Sequence, residues 1–363
     1  MVKEGDIRGK VTKNTTNKIL SILLIVMIIG IVILASYIFF EMKSITHKKA
    51  METCGDGTFY NTCSITKPYF CNQGILLKSS TICGCQDDFK KKDNMCASKL
   101  TTEPREISFA YTLNGEQRMI SFMAYKGLYD HLYTIPRSIS YEEGEISSRA
   151  HFKLNSINEE SQRNFLIPLV IEIQNAAETK EDQARIAISL VQQIPFGNSD
   201  ASIRFGGSTI NYFRYPYQVL YDNEGVCGEK VELLAFLLRE LGYGISFFYF
   251  QEENHEALGI KCPIKESVEN SGYCFIETTG PSIITEEKIS YVGFGKIQST
   301  PSIFLLSDGF DLPGNLEEFK DAKRMDKIRT SMAKRDGRLD FYKFLMNKRL
   351  KKKYGLTTGQ ARL

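Results

Sequence analysis

Nine cysteines and four histidines carry most of the nucleophilic and acid–base chemistry open to this chain, and spacing sets one cysteine apart. Cys54, Cys63, Cys71, Cys83, Cys85 and Cys96 crowd into one short stretch, while Cys262 and Cys274 bracket the loop PIKESVENSGY and form a natural pair. That leaves Cys227. An unpaired thiol in a chain whose other cysteines can pair is a candidate nucleophile. It lies in YDNEGVCGEKVELLAFLLRELG, between Gly225 and Gly228, just before Val231, Leu233, Leu234, Leu237, Leu238 and Leu241 recur at helical spacing. Cys227 is therefore expected where a buried helix begins. There the unpaired N–H groups and the helix dipole favour a thiolate and can hold an oxyanion. Glu229, Lys230, Glu232, Arg239 and Glu240 fall on the rest of the wheel, away from the apolar face.

A thiol nucleophile needs a proton acceptor, and the acceptor needs a third group to orient it. His47 follows a long apolar run, His131 and His151 precede the cysteine helix, and His255 alone lies downstream. The helix ends at Gly242, and GISFFYF reads as a buried strand. After the turn QEEN, HEALGIKC begins a second strand at His255, and YCFIETT, a third, carries Glu277. Alternation puts His255 and Glu277 on one sheet face and Cys262 and Cys274 on the other. A straight hairpin with His255 opposite Glu277 would place Cys262 opposite Asn270, so both pairings together call for a bulge or a loop that folds back, with Pro263 as the break. If one pairing had to yield, it would be the disulfide. Gln218 and Tyr221 are candidate oxyanion donors.

The elements that must position these residues can be read along the chain. ISFAYTL and RMISFMAYK flank Asn114 and Gly115 and predict a β-hairpin. From Tyr133 to Asn158 the reading is loops and short strands. ESQRNFLIPLVIEIQNAAET and KEDQARIAISLVQQIPF predict helices, the second stopping at Pro195 and packing on the cysteine helix. Residues 315–363 hold 15 Lys and Arg against 6 Asp and Glu, and their apolar spacing predicts two amphipathic helices separated at Gly337. A basic tail of this kind could meet an anionic surface.

With 363 residues the chain has room for about two domains, and its net charge of +3 selects no partner. Ile19 to Phe40 is uncharged over 22 residues, long enough to cross a bilayer as a helix. Lysines and arginines before it predict a cytoplasmic N-terminus (1–18) and an extracellular remainder. The six clustered cysteines agree, because disulfides need an oxidising compartment. Residues 54–96 lack histidine and paired C-x-x-C knuckles, which argues for disulfides over zinc. The glycine-containing run FGNSDASIRFGG lacks a phosphate-loop pattern. No cofactor or metal is implied, and nucleic acid is not an expected partner outside the cell.

The words YDNEGVCGEKVELLAFLLRELGYG, NHEALGIK and YCFIETTGPS, in the order cysteine at a helix start, strand, histidine, strand, acid, resemble the transglutaminase-like superfamily. They resemble membrane-anchored archaeal members. The resemblance spans roughly Lys180 to Ser282. It implies an α+β, papain-like fold over residues 105–310, with the cysteine helix packed on an antiparallel sheet, following the membrane helix (19–40) and the disulfide module (54–96). It further implies that Cys227 is the nucleophile, His255 the base and Glu277 the orienting acid. Ala257 stands where the family often has tryptophan, and Glu277 where it usually has aspartate. The activity implied is a thiol hydrolase or acyltransferase acting on amide or ester carbonyls of peptides or surface polymers. An inactive surface-binding module of the same fold is the alternative.

Overall fold

The computed structural model describes residues 24, 26–34, 36, 53–93, 95–137, 149–198, 203–205, 208–210, 214–286, 290–291 and 295–356. Two units separate, Met1–Glu52 and Thr53–Leu363. In the first, the described residues are helical and exposed, and much of the expected span Ile19–Phe40 lies outside the described residues. Among the described residues no helix is long and apolar enough to cross a membrane.

The second unit begins with the cysteine-rich stretch. Its strands β1 (Tyr69–Asn72), β2 (Ile75–Lys78), β3 (Lys90–Lys92) and β4 (Met95–Ala97) form two short hairpins, and Ser80–Cys83 makes a single helical turn, α1. So little apolar material cannot offset chain entropy unaided. Three disulfides supply the constraint: Cys54–Cys71, Cys63–Cys83 and Cys85–Cys96. The stretch is docked on residues 175–180. Asn175 accepts from the Leu76 N–H at 2.9 Å and donates back to its carbonyl at 3.2 Å, and Lys180 donates to the Gly55 carbonyl at 3.0 Å.

The expected hairpin is β5 (Pro104–Leu113) and β6 (Glu116–Tyr125). Asn114 and Gly115 both adopt positive φ, 53° and 84°, as a tight two-residue turn requires, so Glu116 and Gln117 belong to the strand. Loops and short strands were expected over Tyr133–Asn158, but α2 (Lys126–Thr134) enters this region and α3 (Arg149–Ile157) occupies it. The buried face of α3 is Arg149, Phe152, Lys153, Ser156 and Ile157, too polar to register as an apolar stripe. Then come α4 (Glu160–Ala176), α5 (Lys180–Gln193), the small hairpin β7 (Ile203–Phe205) and β8 (Ser208–Ile210), α6 (Pro216–Asp222) and α7 (Cys227–Glu240).

The central sheet is wholly antiparallel: β11 (Tyr273–Ile276), β10 (His255–Lys261), β9 (Ile245–Phe250) and, on the far edge, β14 (Ser302–Ser307). The two-residue strands β12 (Ser290–Tyr291) and β13 (Gly295–Lys296) pair with each other. Helix α7 belongs to the main core with Phe247, Leu258, Ile260 and Ile276, while Phe248, Phe250, Ala257 and Phe275 form a smaller cluster. Ala257 therefore sits among phenylalanines, which supply aromatic packing without a tryptophan. Burying each large side chain of α7 stabilises the fold by about 2 kcal/mol. Helices α8 (Glu317–Ala333) and α9 (Phe341–Tyr354) close the unit, with Gly337 at φ 82° between them.

No bulge interrupts the β10–β11 pairing; β10 ends at Lys261, just before Pro263, and the loop between the cysteines folds back through two 3-10 turns. Leu258 lies opposite Ile276 and Ile260 opposite Cys274, so His255–Glu277 and Cys262–Cys274 are both diagonal, each offset by two residues from direct opposition. A single register thus accommodates the His–Glu contact and the disulfide, which is present. The conflict came from assuming direct opposition.

Candidate active site

Cys227 is the first residue of α7, and Val226 is its N-cap. The start of the helix is fixed by Glu229, which is buried and accepts from the backbone N–H of Val226 at 3.0 Å and of Arg214 at 2.9 Å. The sequence put Glu229, Lys230 and Glu232 away from the core, yet all three are buried. They face the site.

His255 opens β10 and Glu277 immediately follows β11. The imidazole Nε2 and the Glu277 Oε2 are 2.8 Å apart, with the histidine 1% and the glutamate 0% exposed. The other Glu277 oxygen accepts from the N–H of Thr278 at 2.9 Å, the N–H of Thr279 at 2.8 Å and the Thr279 hydroxyl at 2.7 Å. With Nε2 engaged, the remaining ring nitrogen serves the hydrogen bond between His255 and the Cys227 sulfur. The structure thus brings Cys227, His255 and Glu277 into one chain of contacts. Cys227 is partly exposed and is the free cysteine beside four disulfides.

Electrostatics polarise this chain of contacts. Burial raises the Cys227 thiol, but the His255 hydrogen bond and charge, the Glu256 backbone and Lys153 outweigh it and hold the thiol below its ordinary value. Burial opposes a charged imidazole, yet the Glu277 carboxylate and the sulfur raise His255 to about 10. Burial would raise Glu277, but His255 and Thr279 keep it low. At neutral pH His255 is an imidazolium and Glu277 a carboxylate, and the shift at Cys227 runs toward the thiolate.

Sequence reading missed the charged groups behind this arrangement. Lys153, on α3, is 1% exposed and donates to the Gly228 carbonyl at 3.1 Å and to Glu256 at 2.8 Å, with Glu232 at 3.3 Å. Gly228 follows Cys227 and Glu256 follows His255. One buried lysine amine, which burial lowers to about 7, therefore ties together the segments that carry the thiol and the imidazole. Arg149 holds the second oxygen of Glu256 at 2.7 Å, while Arg137 and Ser156 hold Glu232 at 3.0 and 2.5 Å. Lys230 donates to the Ile194 carbonyl at 2.6 Å, and burial lowers it to about 7 against the pull of Glu277 and Cys227. The available signal was a lysine and two glutamates inside a leucine-rich helix, together with a glutamate next to His255.

Lys153→Met is expected to destabilise the protein by about 3–5 kcal/mol, because it leaves two buried carboxylates short of a partner. Urea unfolding monitored by circular dichroism gives the number. An unchanged midpoint would mean that the lysine does not bridge the two segments.

Gln218 and Tyr221, the candidate oxyanion donors, make other contacts. The Gln218 amide accepts from the Tyr215 N–H at 3.0 Å and donates to the Tyr129 carbonyl at 3.3 Å. The Tyr221 ring packs 4.6 Å from Tyr129 and lies under the Arg105 guanidinium. Among the described residues no cluster of potential metal ligands occurs.

The fold and the site define a class: a mixed α+β chain with a disulfide-rich region and a cysteine, histidine and glutamate in contact beneath a helix N-terminus. No protein family and no curated protein matches the sequence. Among solved structures, Legionella pneumophila LapG in its calcium-bound form is similar over 47% of this chain and 98% of that one, at 16% identity and a TM-score of 0.26.

Proposed function

We propose that this chain is a transglutaminase-like thiol enzyme that attacks amide or ester carbonyls through Cys227, His255 and Glu277, on the outer side of a membrane anchored through residues 19–40. The observation that carries this reading is the contact chain from the free thiol through His255 to a fully hydrogen-bonded Glu277. The Cys227 thiolate adds to the carbonyl carbon, and the oxyanion that forms lies at the positive end of α7. As the tetrahedral intermediate collapses, the carbon–nitrogen or carbon–oxygen bond breaks. The leaving group takes the proton that His255 holds on the nitrogen facing the sulfur. His255 then removes a proton from water or an amine, which attacks the thioester and frees the thiolate. The four disulfides suit an oxidising, extracellular compartment.

Turnover against pH tests this mechanism. The thiol is held low and the imidazole is raised to about 10, so the active ion pair forms as pH rises through the thiol's lowered value. It is lost as pH passes about 10, when His255 gives up the proton the leaving group needs. A screen of peptide amides and esters, with and without a primary amine, should give a broad bell with its alkaline limb near that value. Amine incorporation would assign transfer, and cleavage alone hydrolysis. No turnover, together with no trapped acyl-enzyme, would leave an inactive binding module of the same fold.

A further inference from the structure

The outer face of α9 has no place in the chemistry above. Leu350, diametrically opposite Phe341 at about 3.6 residues per turn, is buried with Met325, Ile328 and Leu356. Lys353 and Tyr354 fasten the same side to Asp321 of α8, both at 2.8 Å. Among the described residues the opposite side has no partner over its first turns. Phe341 is 76%, Tyr342 71%, Phe344 54% and Leu345 46% exposed. One turn further on, the same face continues with exposed Lys348, Arg349 and Lys352 and carries no acidic residue. The turn before the helix adds exposed Lys334, Arg335 and Arg338 against Asp336, and Asp340 is engaged in capping the helix.

We infer that the face of α9 bearing Phe341, Tyr342, Phe344, Leu345, Lys348, Arg349 and Lys352 binds the surface of an anionic lipid bilayer. Aromatic and leucine side chains beside lysines and arginines are the composition of a helix lying in a membrane interface. The rings enter the headgroup boundary and the cations meet lipid phosphates. A second copy of the chain is a poor occupant, because the cations would face cations. An acidic polymer would use the charges but leave four large apolar side chains in water. The uncharged run Ile19–Phe40 in the same chain makes a bilayer the partner at hand. This surface would hold the body against the membrane independently of any activity at Cys227.

The chain contains no tryptophan, so Leu345→Trp introduces a single fluorescent reporter on this face. The full chain carrying it is reconstituted into phosphatidylcholine vesicles with and without phosphatidylglycerol, using lipids with brominated acyl chains. In the anionic vesicles the emission should shift to the blue and be quenched by the bromines, and in the neutral vesicles much less so. Each cation near an anionic surface is worth about a factor of five, so Lys348→Gln, Arg349→Gln and Lys352→Gln together should lower the ratio of engaged to free face on the order of a hundredfold. Phe344→Trp, read separately, guards against disturbance by the first reporter. Emission that stays red and unquenched in anionic vesicles for both reporters would overturn the proposal. So would a shift produced by soluble polyglutamate and not by vesicles, which would assign the face to an acidic polymer.

Discussion

Cys227→Ala is expected to abolish the fast alkylation of this protein by iodoacetamide at neutral pH, because the other eight cysteines are paired. An ordinary thiol, with a pKa of about 8.5, is only a few per cent thiolate at pH 7. The Cys227 thiol is held below its ordinary value, so the native protein should label faster than free cysteine at neutral pH. The rate should level off below pH 8.5. His255→Ala removes the hydrogen bond and charge that oppose burial, leaving desolvation to raise the thiol, and labelling should fall to or below the rate of free cysteine. If the native rate instead climbs through pH 8.5 as free cysteine does, and His255→Ala leaves it unchanged, the thiol is not paired with the imidazole.

Glu277→Gln should be nearly as damaging to turnover, for a reason that lies in the hydrogen bonds rather than the charge alone. Three donors converge on one carboxylate oxygen, two backbone N–H groups and the Thr279 hydroxyl. In the glutamine variant they hold the amide oxygen in that place, which turns the amide NH₂ toward His255 Nε2. The ring must then accept at Nε2 and carry its proton on the nitrogen facing the sulfur. That tautomer cannot take the thiol proton. A loss of about 10⁴-fold in kcat is expected, as for a wrongly held tautomer in a serine triad. Glu277→Asp, which keeps two acceptor oxygens, should recover much of it. Comparable activity in the wild type and the glutamine variant would remove Glu277 from the mechanism.

Patterns of apolar residues were legible in the sequence, and patterns of buried charge were not. Helix α7 could be read because Leu233, Leu234, Leu237 and Leu238 repeat at helical spacing, and α8 and α9 could be read with the break at Gly337. Cysteine count and spacing isolated Cys227, and the resemblance read in the words around it assigned His255 and Glu277 to it. Helix α3 was missed because Arg149, Lys153 and Ser156 make up much of its buried face, turned toward carboxylates on α7 and β10. The same cause hid Glu229, Lys230 and Glu232, which helical-wheel reasoning sends to the surface by residue type. The offset of the β10–β11 register depends on how the loop between the cysteines folds back. Glu269 and Asn270 there take positive φ, 47° and 57°, which strand alternation does not reveal.

The disulfide connectivity has a consequence for how such a chain is made. Each bridge closes a short loop, with sequence separations of 17, 20, 11 and 12, and none of these loops contains Cys227. For a chain whose residues beyond 40 enter an oxidising compartment in sequence order, six cysteines arrive and can find their partners before Cys227 emerges. Only Cys262 and Cys274 come after it, and their own separation is shorter than the distance along the chain from either back to Cys227. The order of synthesis therefore shields the sulfur that the proposed mechanism needs reduced from the thiols most able to capture it.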